Sequence, residues 1–165
     1  MAPPDNKKFE FTALIAQHLI SKGMSDTGIR TLARVAGTSD RMLIYYFGTK
    51  EKLIEQSLDL IVGQLAAGLD AAMGTKRRSS ATLLQQLTVE CTTPSLLPMI
   101  RLWFEIVGLA ARGVEPYQTK SRAIAEMWIA WMESRLQSNQ ALTALEIFSI
   151  LEGRLLLHVI GISRQ

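Results

Sequence analysis

Apolar positions recur along this chain with the spacing of helices, and no stretch alternates as a strand would. The first periodic segment runs from Lys8 to Lys22 through Phe11, Leu14, Ile15 and Leu19, and Gly23 ends it. His18 completes that stripe and reads as a half-buried packing residue. Ahead of it, residues 1–7 (MAPPDNK) read as a polar, proline-bearing arm without regular structure. Ile29, Leu32, Ala33 and Ala36 then mark a short helix, with Asp26 or Thr27 as its expected N-cap. Gly37 stops that helix, since glycine enters a left-handed turn without steric cost. Ser39 offers an N-cap hydroxyl to a second short helix, which carries Leu43, Tyr46 and Phe47 on its apolar side. Thr49 caps a helix running to about Met73, striped by Ile54, Leu58, Ile61, Leu65, Leu69 and Ala72. At 1.5 Å per residue it spans roughly 35 Å.

Gly74–Ser80 (GTKRRSS) breaks the pattern and reads as a solvated loop. A short helix over 81–92 carries Leu83, Leu84 and Leu87 and closes at Thr92-Thr93-Pro94. From Pro94 or Pro98 to Arg112 nearly every residue is apolar, the signature of a central buried helix. Arg101 and Glu105 lie four apart and share one face of it. Gly113 and Pro116 separate it from a helix over 117–137, and a last helix covers about 140–161. The expected fold is all-α, with about eight helices and no internal repeat.

Composition adds to this picture. Of 165 residues, 48% are hydrophobic, and the mean hydropathy is +0.15, which calls for an extensive core, an apolar cavity or a subunit interface. Arg101, Glu105, Glu126 and Glu152 interrupt every candidate membrane span. The first residues lack the apolar core of a signal peptide, and the single cysteine, Cys91, cannot form an internal disulfide. A cytoplasmic protein without membrane partners is expected. The formal net charge is +3, and residues 1–52 hold all of it, with eight Lys/Arg against five Asp/Glu. An excess of that sign in one segment is what phosphate binding demands.

Residues 28–47 therefore combine two short helices, a glycine-centred turn and a basic setting, which together form a helix-turn-helix whose second helix enters the DNA major groove. The run GMSDTGIRTLA precedes it, and Phe47–Leu53 supplies F-x-x-K-E-x-L after it. In these motifs the segment from about Phe9 to Leu58 resembles the DNA-binding domain of the tetracycline-repressor (TetR) family of transcriptional regulators. The resemblance implies a three-helix helix-turn-helix domain over 8–55, followed by a helical bundle over 56–165 for effector binding and dimerisation. It also implies a recognition helix over Ser39–Phe47. Ser39, Asp40, Arg41, Met42 and Tyr45 project away from its Leu43/Tyr46/Phe47 face, and Tyr46 borders the DNA set. Arg41 is the residue suited to base readout, since a guanidinium donates twice to guanine O6 and N7; a phosphate contact is its other role. Arg30, Thr31, Tyr45 and Lys50 suit phosphates, which set register without reading sequence. Asp40 accepts from cytosine N4, pairs with Arg41, or caps the helix. The chain departs from the family at Ile44, where a tyrosine is usual, and at Thr38, where a valine-like residue is usual.

Readers of this kind act as dimers on two half-sites about 34 Å, or a multiple, apart. The dimer surface is expected on the last two helices, where Glu146, Ile150, Gly153, Leu157 and Ile160 fall on one side. Gly153 costs about 1 kcal/mol in mid-helix, offset by close helix approach between subunits or within the chain. Met99, Trp103, Phe104, Met127, Trp128, Trp131 and Phe148 make either an ordinary core or an adaptable apolar site. The family resemblance implies a small-molecule pocket in the body without naming its lining. Only His18 and His158 are histidines, and no metal-ligand spacing exists. No catalytic residue, metal or cofactor is expected. The sequence thus points to a homodimeric regulator of double-stranded operator DNA, a repressor released by a small apolar effector. Its alternative is a regulator whose body only dimerises or docks a protein.

Overall fold

The computed structural model describes residues 4–162, with side chains from Asn6 onward. Among the described residues eight helices follow in order: α1 (Pro4–Lys22), α2 (Ile29–Val35), α3 (Asp40–Phe47), α4 (Lys50–Met73), α5 (Ser80–Cys91), α6 (Leu97–Ala111), α7 (Tyr117–Glu133) and α8 (Ala144–Val159). Among the described residues the only extended pairing is one isolated bridge between Arg78 and Leu136. The chain divides into two compact units, Met1–Gln64 and Leu65–Gln165, with the division inside α4.

In the first unit α1 begins at Pro4, so the arm expected over residues 1–7 is helical in its second half, and residues 1–3 lie outside the described residues. A proline is tolerated in a first turn because its missing N–H would have had no helical partner. The turn into α2 also differs from expectation. Gly28 is the N-cap and no side chain caps the helix. The Thr27 hydroxyl instead donates to the Met24 carbonyl at 3.2 Å, and His18 Nε2 lies 3.1 Å from the Asp26 carbonyl oxygen. Gly37 takes φ 64° between α2 and α3. Ser39 and Thr49 cap α3 and α4 as expected, accepting from the N–H groups of Met42 and Lys52 at 3.3 and 3.1 Å. The core of this unit is Phe11, Ile15, Leu19, Leu32, Ala33, Leu43, Phe47, Leu53, Ile54 and Leu58, all buried.

In the second unit α7 packs on α6, and α8 packs on both α5 and α7. Ile100, Leu102, Ile106, Trp128, Met132, Ile147, Leu151 and Leu155 fill the space between them. Helix α6 is not buried all round, as its composition had suggested. Arg101, Glu105 and Gly108, at i, i+4 and i+7, form a solvent face. Helix α8 starts four residues later than the apolar pattern indicates. Thr143 and Glu146 form a reciprocal capping box there, and the T-x-x-E spacing that encodes it is readable in the sequence. The bond from the Thr143 backbone holds the Glu146 carboxyl below its ordinary value.

The TKRR segment is a correction. It is not simply solvated. Arg77 Nη1 donates to the Leu136 carbonyl at 2.8 Å, and Arg78 Nη2 donates to the Met73 carbonyl at 2.6 Å. The backbone of Arg78 exchanges hydrogen bonds with Arg135 O and Gln137 N at 2.9 and 3.1 Å. Arg78 therefore satisfies the last carbonyl of α4, and Arg77 a carbonyl three residues beyond α7. Beside them the Arg135 side chain, 8% exposed, pairs with Asp70, which is 40% exposed. Its guanidinium stacks 3.8 Å above the Trp131 ring, and the Trp131 indole N–H donates to Asp70 at 3.2 Å.

Burial is lopsided in this pair, and the cost of breaking it should be lopsided too. Asp70→Ala leaves a buried guanidinium without its counter-charge and should cost about 2–3 kcal/mol. Arg135→Met leaves a carboxylate that water can reach and should cost less. Urea-unfolding midpoints of the two variants and of the double variant check this; equal losses would mean that packing, not charge, holds the contact.

Candidate nucleic-acid interface

The site is built from α2 and α3, which pack on one another through Leu32 and Ala33 on one side and Leu43 and Phe47 on the other. Leu43 and Phe47 are 1% and 4% exposed. With about 100° between successive residues, that pair turns Arg41 and Tyr45 to the opposite side of α3, with Met42 and Ile44 on their flanks. All four are exposed, Tyr45 at 77%. Arg41 has neither a hydrogen bond nor an ion pair among the described residues, so its guanidinium is available.

Tyr46 sits differently. It is half-buried, and its ring meets Phe11 of α1 edge-on at 5.5 Å and Tyr45 edge-on at 5.3 Å. Such pairs contribute roughly 0.5–1.5 kcal/mol beyond area burial, and here they brace the otherwise free Tyr45 ring. Lys7 lies 5.5 Å from the Phe11 ring centroid and Lys8 5.4 Å from that of Phe47. Phe11 was legible only as core; its role under Tyr46 has no local sequence signal.

Asp40 pairs with Arg30, not with Arg41, at 4.0 Å. The two side chains are 50% and 91% exposed, so water screens the contact and leaves Arg30 free to exchange partners. As an acid in the first turn of α3, Asp40 also faces the favourable end of the helix dipole. Thr31 is half-buried in α2, and the Ser39 hydroxyl is committed to its cap. Lys50 opens α4 with its amine 3.8 Å from Glu51. Arg34 and Lys52 are exposed on the neighbouring helices. An open groove of about 370 Å³, lined by Lys8, Phe9, Thr12, Gln56 and Leu60, lies elsewhere on the first unit.

The residues expected to line a pocket in the body are less uniform than their sequence pattern. Trp128 is buried, while Met99, Trp103, Phe104, Met127, Trp131 and Phe148 are half-buried. Trp128 and Trp131 meet edge-on at 5.7 Å. The indole N–H of Trp103 donates to Glu152 at 2.8 Å. Burial pushes the Glu152 carboxyl above its ordinary value, and the Trp103 bond opposes the shift. Cys91 is buried, and desolvation, with the Glu152 and Glu90 charges adding to it, pushes its thiol up to about 12, which disfavours the nucleophilic thiolate. Of the residues expected at a dimer surface, Glu146, Ile150, Gly153, Leu157 and Ile160 are all exposed, although Glu146 also closes the capping box.

Among the described residues no group of three or more His, Cys, Asp or Glu side chains could hold a metal ion, and no helix is long and apolar enough to cross a membrane. Comparison with curated proteins finds no match. In overall structure the chain is similar to a Rhodococcus sp. protein assigned to the TetR-family transcriptional regulators, with a TM-score of 0.76 over 96% of this chain and 90% of that one, at 17% identity. A second structure, of a Mesorhizobium loti MAFF303099 protein given the same assignment, aligns at 18% identity over 96% and 98% of the two chains, but its TM-score of 0.41 has no weight here. The first of these supports the fold. The family rests on residues 13–56, which contain α2, α3 and their turn and match the model of the bacterial regulatory proteins of the tetR family. Residues 13–56 thus match the helix-turn-helix domain of the tetR-family bacterial regulatory proteins.

Proposed function

We propose that the chain binds operator DNA as a homodimer and represses transcription, with the outward side of α3 in the major groove. The observation that carries the DNA contact is the opposition of buried Leu43 and Phe47 to exposed, unpaired Arg41. In this reading Arg41 donates to guanine, and Arg30, Thr31, Tyr45 and Lys50 hold phosphates. Ser39 and Asp40 lie at the helix start, where Ser39 acts as a cap and Asp40 lies beside Arg30. Tyr46 supports Tyr45 from below. The reading head spans the first expected domain, 8–55, and the remainder, 56–165, dimerises and receives the effector.

For the dimer the support is an apolar arc on α8. Leu145, Ile150, Leu156, Leu157 and Ile160 are 58, 37, 45, 46 and 60% exposed around Gly153. A Cβ added at Gly153 would meet nothing within 4 Å, so packing within the chain gives no reason for a glycine there. The same is true of Gly63, Gly68 and Gly108; what distinguishes Gly153 is its apolar surroundings. The outward face of α7 is polar, with Arg122, Glu126 and Glu133 exposed, so α8 supplies the seam. An isologous contact along it aligns two copies by a twofold axis, as paired half-sites require.

For the effector the support is the half-buried Met, Trp and Phe set on α6, α7 and α8, soft and polarisable surface that accommodates a small apolar molecule. Such a ligand releases DNA only if it binds the DNA-free arrangement more tightly than the bound one. The alternative, a body that only dimerises, is favoured by the commitment of the Trp103 and Trp131 indoles to Glu152 and Asp70.

Three outcomes are expected. Arg41→Ala should weaken binding to a duplex selected from a random pool by roughly 1–3 kcal/mol while affecting random DNA less; equal losses on both would make Arg41 a phosphate contact. Leu157→Asp should shift the protein to monomer in analytical ultracentrifugation at unchanged helix content, and a persisting dimer would remove α8 as the seam. In a thermal-shift screen of lipophilic compounds, a stabilising compound that also lowers DNA affinity supports the repressor reading. If no compound does both, the body that only dimerises is the better account.

A further inference from the structure

The outward side of α3 is mostly apolar. Of the four side chains on it only Arg41 is charged; Met42 and Ile44 are 39 and 42% exposed and flank the Arg41–Tyr45 line. Exposed methionine and isoleucine side chains at the centre of a basic surface cost solvation unless something apolar covers them. Arg30, Arg34, Lys50 and Lys52 on the neighbouring helices mark that something as anionic around its edges. Duplex DNA meets both conditions at one kind of base. In the major groove thymine alone presents an apolar group, its C5-methyl, whereas the other base edges present donors and acceptors. An aliphatic side chain pressed on a polar edge would strip it of water without replacing the hydrogen bond. On a methyl it buries apolar area from both sides.

We infer that Met42 and Ile44 are specificity-determining residues that read thymine methyls, one on each side of the base contacted by Arg41. The inference rests on the DNA-binding reading above and deepens it. Ile44 then has a positive role. Its side chain can contribute no polar contact and reads a methyl instead. Tyr45, braced by Tyr46, keeps its hydroxyl for the backbone.

The test uses the full-length protein and a duplex it selects from a random pool. Each thymidine is replaced in turn by deoxyuridine, which removes the methyl and leaves every hydrogen-bonding group in place. In each half-site two replacements, one on either side of the position where Arg41→Ala relaxes the base preference, should weaken binding roughly fourfold each, the value of one buried methyl. Ile44→Ala should abolish one of these losses and Met42→Ala the other; both side chains are exposed, and circular dichroism confirms that the variants fold. Deoxyuridine tolerated at every position overturns the inference, as do losses that persist in both alanine variants or a selected site without thymine. In those cases specific, salt-sensitive binding leaves the DNA-binding reading intact. A wild-type protein that selects no sequence overturns both.

Discussion

The burial of Leu43 and Phe47 is the constraint on which the reading head depends. Helix α3 has only eight residues, about two turns, and two of them four apart are sealed inside. Rotation of the helix about its axis is then fixed, and Arg41 and Tyr45 cannot turn inward without exposing the core. Other features defend that orientation. Ser39 fixes the start of the helix, Gly48 at φ 79° lets the chain leave it without strain, and Phe11 supports it through Tyr46. An eight-residue helix would be marginal alone. Its direction comes from tertiary contacts, and its chemistry from the positions those contacts leave over.

The body is held by a different logic. Its helices pack through aliphatic residues, but α4 and α7 end in a polar cluster in which two arginines donate to backbone carbonyls and a third pairs with Asp70. Charges so placed must be partnered to be tolerated. Arg135 meets that demand at its two terminal nitrogens with a carboxylate, a carbonyl and a hydroxyl, and against an aromatic face, while its buried Nε has no partner. Glu152 meets it less fully, with one indole N–H, and its carboxyl is correspondingly reluctant to ionise.

How legible these features were depends on how local their causes are. The helix-turn-helix is written in consecutive residues, as apolar spacing, a glycine at φ 64° and a serine cap, and so are the eight helices. The polar cluster is not, because Asp70 and Arg135 stand 65 residues apart and nothing beside either announces the other. The TKRR segment looks solvated by composition, and only the fold gives Arg77 and Arg78 the carbonyls they bind. Helix α6 misleads in the opposite sense. Its apolar content is high enough to hide Arg101, Glu105 and Gly108 lining up on one exposed face. At α3 the outward Met42 was legible from helical spacing; that Ile44 is exposed on the other flank needed the orientation of the helix.

Exposed apolar surface occurs in two settings, and the charges around it separate them. On α3 the apolar side chains are few, surround one free guanidinium and lie among the lysines and arginines that give residues 1–52 their excess charge. On α8 they are more numerous, and Glu146 and Arg154 are the charged side chains exposed there. A surface of the first kind suits a partner that is anionic outside and apolar at points, because its cations would repel a second copy of itself. A surface of the second kind lacks that repulsion, and self-complementarity asks only that similar apolar arcs meet. Similar side chains on the two helices thus suit unlike contacts. The electrostatic surroundings, more than hydrophobicity, decide which partner each can accept.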